Sequence, residues 1–119
     1  MENAFLILSN WWGLSDKPGS QKMFINADGS YVIKVEFSHP RDQVENSQKE
    51  GNIDKERLKQ ILEFAEINIT QPTNHMIYDA GWAIEYIKES KAIKVVNDLD
   101  LWKRLIELVP EYKIWSLMV

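Results

Sequence analysis

KMFINADGSYVIKVEF, residues 22 to 37, decides what kind of fold this chain builds. Tyr31, Ile33, Val35 and Phe37 recur at every second position, and Val32, Lys34 and Glu36 fill the alternate ones. Period two marks a strand, because successive side chains leave an extended backbone on opposite faces. In the middle, Ala27-Asp28-Gly29 offers the positive φ that a tight turn demands. The stretch therefore predicts an antiparallel hairpin with one apolar face and one more polar face.

Residues 81 to 96, GWAIEYIKESKAIKVV, repeat that plan. Trp82, Ile84 and Tyr86 alternate with Ala83, Glu85 and Ile87, a turn falls near Glu89-Ser90, and Ala92 to Val96 return. Ala4 to Ser9 is apolar on both alternating faces, which suits a strand inside a sheet or partly in an interface. Asp16, Lys17, Pro18 and Gly19 form a turn cluster, and Gly19-Ser20 reads as turn chemistry. Residues 38 to 52 lack apolar periodicity and read as a long loop, functional or simply mobile, with the mobile reading ahead.

Two helices are written into the remainder. Asp54 is a good N-cap, Ile53 before it can staple onto Leu58, and Leu58, Ile61, Leu62 and Ala65 share one face. Gln71-Pro72-Thr73-Asn74 breaks the chain. Asn97 or Asp98 then caps a second helix with the stripe Leu101, Trp102, Leu105, Leu108 and Val109, and Pro110 ends it. The tail 113 to 119, KIWSLMV, is either a last strand or an irregular apolar arm. The expected architecture is an α+β fold. Its sheet is mainly antiparallel, built from two hairpins plus an N-terminal strand and a candidate C-terminal one, packed with two amphipathic helices. At 119 residues it forms a single domain, 1 to 119, since chains usually divide only beyond about 250 residues.

Composition narrows the function classes. Hydrophobic residues make up 45% and charged residues 27%, which is a globular balance. The absence of cysteine rules out a disulfide scaffold, thiolate zinc and thiol catalysis, and fits a reducing compartment. Fourteen basic and 18 acidic residues leave a net charge of −4 without a basic stripe, so neither nucleic acid nor an anionic membrane is an expected partner. The opening apolar run ends after Leu8, too short for a signal peptide or a membrane span, and the cytoplasm is the expected compartment.

Chemistry is sparse. His39 and His75 stand far apart, with no metal-ligand spacing around either, so no metal and no cofactor is expected. No serine has the setting of a nucleophile elbow, and no glycine loop could cradle a phosphate. His75 and Asp79 remain as candidate pocket residues, although Asp79 before a strand more simply reads as a turn residue capping backbone amides. The balance leans away from an enzyme.

The two adjacent tryptophans in SNWWGLSDKPGSQ, residues 9 to 21, are the feature that balance leaves over. If the first strand runs on, Trp11 follows Phe5 and Ile7, and Trp12 follows Leu6 and Leu8. Burying both needs cover on both faces, so one indole is expected to stay partly exposed. Large aromatics there act either as rim closures of the core or as anchors of a protein interface. Trp11, Trp12, Leu14 and Trp115 are the candidate partner-binding residues, whereas Trp82 and Trp102 belong to the core by their periodicity.

A hairpin turning on ADG, the helix LKQILEFA, then YDAGWAIEYIKESKAIKVV and the closing helix LWKRLIELV give a layout over residues 22 to 109. That layout resembles small bacterial proteins, and is similar to emfourin-type protein inhibitors of metalloproteases and to immunity proteins that neutralise toxins. The resemblance is one of element order, with no binding residues to carry across, and it implies a non-catalytic role. The first expectation is thus a cytoplasmic protein-binding module that occludes a protein partner, a toxin or a protease, with acidic side chains favouring a basic one. The alternatives are a self-associating structural protein, its homodimer seam on the tail or the first strand, and a small-ligand binder or cryptic enzyme.

Overall fold

A computed structural model describes residues 4–12, 19–37, 47–72 and 80–112, with the backbone alone at Phe37, Ser47 and Ala80. In chain order the elements are β1 (Ala4–Trp12), β2 (Gly19–Asn26), β3 (Ser30–Phe37), β4 (Ser47–Asn52), α1 (Lys55–Asn68), β5 (Ala80–Lys88), β6 (Lys91–Val96) and α2 (Leu99–Leu108). The six strands make one antiparallel sheet in the order β4-β3-β2-β1-β5-β6. With the two helices of the described residues packed on it, the chain is an α+β fold.

The first hairpin turns where the sequence places it. Gly29 has φ +93°, and its amide donates to the Asn26 carbonyl at 3.0 Å. Asp28 reinforces the turn by accepting from the Ser30 amide at 2.9 Å and the Ser30 hydroxyl at 2.6 Å, bonds that hold its carboxyl below the usual carboxylate range. The second hairpin turns on Glu89 and Ser90, both at positive φ, as a two-residue connection requires.

Alternation then sorts the sheet into two faces. Leu6, Leu8, Met23, Ile25, Ile33 and Ile84 all point one way and join Leu58, Ile61, Ala65, Leu101, Trp102 and Leu105 in a single buried core. Both helices therefore lie on the same face. Asp54 caps α1 through the Arg57 amide, and Asp98, rather than Asn97, caps α2 through the Leu101 amide. Arg57 and Glu111 form a two-toothed ion pair that ties α1 to the segment after α2. On the far side, Glu66 of α1 accepts from the Tyr86 hydroxyl at 2.8 Å and from the Lys88 ammonium. Those bonds lower the Glu66 carboxyl and raise Lys88, while burial and then the bond to Glu66 raise Tyr86.

Three expectations need correction. Residues 47 to 52, read as part of a loop, form β4 and pair with β3 from Ser30↔Asn52 to Val35↔Ser47. Gln48, Lys49 and Glu50 are exposed, so backbone hydrogen bonding rather than side-chain burial holds this edge, and no apolar period betrays it. Gly19 and Ser20 open β2 opposite Trp12 and Trp11 instead of turning. Leu62 is 38% exposed; the buried line of α1 runs Leu58, Ile61, Ala65 and on to Ile69, because the helix rotates Leu62 past the sheet. The tail 113 to 119 lies outside the described residues.

Candidate functional site

At the end of β1 the chain carries a polar plug under the core face. Asn10 and Gln21 are 6% and 4% exposed, and the Tyr112 hydroxyl donates to Asn10 Oδ1 and approaches the Gln21 carbonyl at 3.3 Å. Burial drives the Tyr112 phenol far above its usual range. Tyr112 meets Trp102 edge-on, with ring centroids 5.5 Å apart, and Trp102 lies 6.4 Å from Trp82. Trp102 is 3% exposed and Trp82 packs against the core half-buried, as their spacing predicts. Both indole N–H groups are buried without a hydrogen-bond partner among the described residues. That cluster is scaffold, sealed by α2.

The tryptophan pair divides as alternation requires. Trp12 follows Leu6 and Leu8 on the helix-covered side, Trp11 follows Ile7 and Ser9 on the opposite side, and both are half-buried. Trp11 stands opposite Gly81 and lies so close over it that a Cβ there would come 2.8 Å from its ring. Asn97 supports the same spot. At φ +56° its amide donates to the Trp82 carbonyl at 2.9 Å, and its side-chain oxygen accepts from the Trp82 amide at 3.0 Å.

Beside Trp11, on the face away from the helices, the sheet is hollowed into an open groove of about 450 Å³. Small side chains make its floor: Ser9 in β1 stands between Ala83 of β5 and Lys22 of β2. Trp11 and Ser20 close one end, and Ile7 and Phe24 stand at the other. Lys22 rises on one side, and Glu85 and Lys94, a cross-strand pair, rise on the other. Lys34 reaches over the Phe24 ring, its ammonium 5.8 Å from the centroid. Among the described residues no helix lies on this face.

Of the residues singled out in the sequence, the structure places Trp11 in the groove and Trp12 on the reverse side of the same strand. Leu14, His39, His75, Asp79 and Trp115 lie outside the described residues. Ile7, Lys22, Phe24, Glu85 and Lys94 were not singled out. Their signal was present, since each occupies the alternate face of a strand already recognised, but only the strand order brings them around Ser9. Among the described residues no group of three or more His, Cys, Asp or Glu could hold a metal ion, and no helix is long and apolar enough to cross a membrane. The groove's chemistry is contact chemistry: aromatic and aliphatic walls, two hydroxyls and charged rims. No protein-family model matches the sequence, and no curated protein matches it either.

Proposed function

We propose that this chain is a non-catalytic protein-binding module that covers a partner protein, in the manner of an inhibitor or immunity protein, with the helix-free face of its sheet as the contact surface. One observation carries the reading. Among the described residues both helices pack on one face of the six-stranded sheet, and the other face presents Ile7, Trp11 and Phe24 around an open groove. Half-buried aromatics beside a depression are the residues that anchor protein interfaces, because they bury a large area at small cost in side-chain entropy. The cysteine-free composition suits work in the cytoplasm.

A photo-cross-linking residue tests this. Introduced at Lys22 on the groove, in the cell of origin, it is expected to capture one discrete protein, and Trp11→Ala is expected to abolish that adduct. The same group introduced at exposed Lys59 on α1 serves as the control. Equal capture from both positions, or an adduct indifferent to Trp11, would sink the reading.

A further inference from the structure

We infer that Asp28-Gly29, at the tip of the first hairpin, is a covalent modification site, a latent isoaspartate site that the folded turn keeps closed and that reacts when the turn opens. The inference is independent of what the helix-free face binds.

The chemistry needs only water. The Gly29 amide nitrogen attacks Cγ of the protonated Asp28 carboxyl, an N–Cγ bond forms, and the carboxyl hydroxyl leaves with the amide proton as water. A second water then opens the succinimide ring. Breaking the N–Cγ bond restores aspartate; breaking the backbone C–N bond leaves isoaspartate, whose main chain runs through Cβ and Cγ and is one carbon longer. A side chain on the following residue hinders the attack, and Asp28 is the one Asp or Asn in the sequence that glycine follows.

The turn holds this reaction back. Positive φ within it is confined to Gly29, whose amide donates to the Asn26 carbonyl at 3.0 Å, so Ala27 and Asp28 form the centre of a type I turn. At the second central position ψ is about 0°, which sets the Gly29 nitrogen over the Asp28 nitrogen and away from the Cβ–Cγ arm it has to meet. The bond to Asn26 also holds the amide proton that must leave. The carboxyl is fixed as well. Asp28 Oδ1 accepts from the Ser30 hydroxyl at 2.6 Å and the Ser30 amide at 2.9 Å, and those bonds keep the group in its unreactive carboxylate form. Asn26 Nδ2 steadies the clamp by donating to Ser30 Oγ at 2.9 Å. Ala27 and Asp28 are exposed, so water reaches the site and the turn's own hydrogen bonds are its gate.

The consequence of reaction travels to α1. The Gly29 carbonyl accepts from the Ile53 amide at 2.8 Å, and a Cβ on Gly29 would come 2.7 Å from the Ile53 carbonyl and 3.6 Å from Leu58. Ile53 is buried directly before the Asp54 cap. A main chain lengthened by one carbon at position 28 displaces Gly29 from that seat and loosens the entry to α1.

The test is an ageing experiment on the intact chain. Isomerisation leaves the mass unchanged, so it is read as a second chromatographic peak of the tryptic peptide 23–34, MFINADGSYVIK, distinct from deamidation at Asn26, which raises the mass. The chain is warmed in mildly acidic buffer beside the same peptide free in solution. The free peptide is expected to isomerise at least about tenfold faster than the folded chain, which reacts only from the opened turn. Ser30→Ala removes the hydroxyl bond and should speed the folded chain about threefold or more. In concentrated urea the parent and the variant should both match the peptide. The isolated isoaspartyl chain should show reduced hydrogen-exchange protection at the Ile53 amide. A folded parent as fast as the peptide, a Ser30→Ala chain no faster than the parent, or a parent that stays slow when unfolded overturns the inference. Unchanged protection at Ile53 overturns the coupling to α1.

Discussion

At the scale of single residues, two positions tie the scaffold to the groove. Gly81 has to be glycine because Trp11 and the Asn97 side chain both occupy the space a Cβ would take. Gly81→Ala must push the indole off the sheet or break the bond that the Trp82 amide donates to the Asn97 side-chain oxygen. It should cost about 1–3 kcal/mol in urea unfolding, the usual range for overpacking, and should weaken partner capture as well. A variant as stable as the parent would show that the close approach is not maintained. Tyr112 works on the other face. Tyr112→Phe leaves the Asn10 carbonyl buried without its phenol donor, which predicts a loss of about 1–3 kcal/mol. The pH dependence has a definite sign. The folded phenol titrates above its unfolded value near 10, so its contribution is complete below pH 10 and is lost as the pH climbs beyond it. Chemical denaturation between pH 9 and about 11 should therefore show stability falling more steeply in the parent than in Tyr112→Phe. Some slope survives the substitution, since Tyr86 is raised too. The sequence displayed the tryptophan pair openly. It could not show that Tyr112 reaches back to Asn10, a contact spanning 102 positions that only the folded sheet creates.

At the scale of elements, legibility followed how each element is held together. Strands and helices that bury one face announced themselves by period; the cap of α1 was readable as Asp54, while that of α2 was legible only as Asn97 or Asp98, of which Asp98 accepts from the Leu101 amide. β4 carries the opposite lesson. Its six residues, SQKEGN, form a ladder with β3 through the backbone, and no side-chain pattern records that bond. The stripe of α1 was legible only to within one residue. Leu58, Ile61 and Leu62 satisfy the same spacing rule, but the angle at which a helix lies on a sheet decides which of two neighbours faces in, and that angle is a tertiary property. The distinction is measurable. Ile61 is fully buried, so Ile61→Ala should cost about 2–5 kcal/mol in denaturant melts, whereas Leu62→Ala should cost less than about 1 kcal/mol. Equal losses would mean that α1 is rolled relative to the orientation described.

At the scale of the whole molecule, the sheet's two faces have different assignments. One is filled by α1, α2 and the Tyr112 plug, and it is clasped at its rim by the Arg57–Glu111 and Glu66–Lys88 pairs. The other keeps Ile7, Trp11 and Phe24 in a groove edged by Lys22, Lys94 and Glu85. β1 could be recognised as apolar on both sides, but the sequence could not say whether its second face meets another layer or another molecule. A second copy of the chain is the direct competitor for that surface. Stacking two such faces about a two-fold axis would set Lys22, Lys34 and Lys94 of each copy over a face that holds as many carboxylates, Glu36, Glu50 and Glu85. On the proposed function the groove is kept for a foreign partner, so light scattering is expected to give the monomer mass of 13.9 kDa at both low and high salt. A dimer that Trp11→Ala with Phe24→Ala dissolves would show the face admitting a second copy. In that case the helix-free face would be a homodimer seam, and the occlusion of a foreign partner would have to proceed through some other surface.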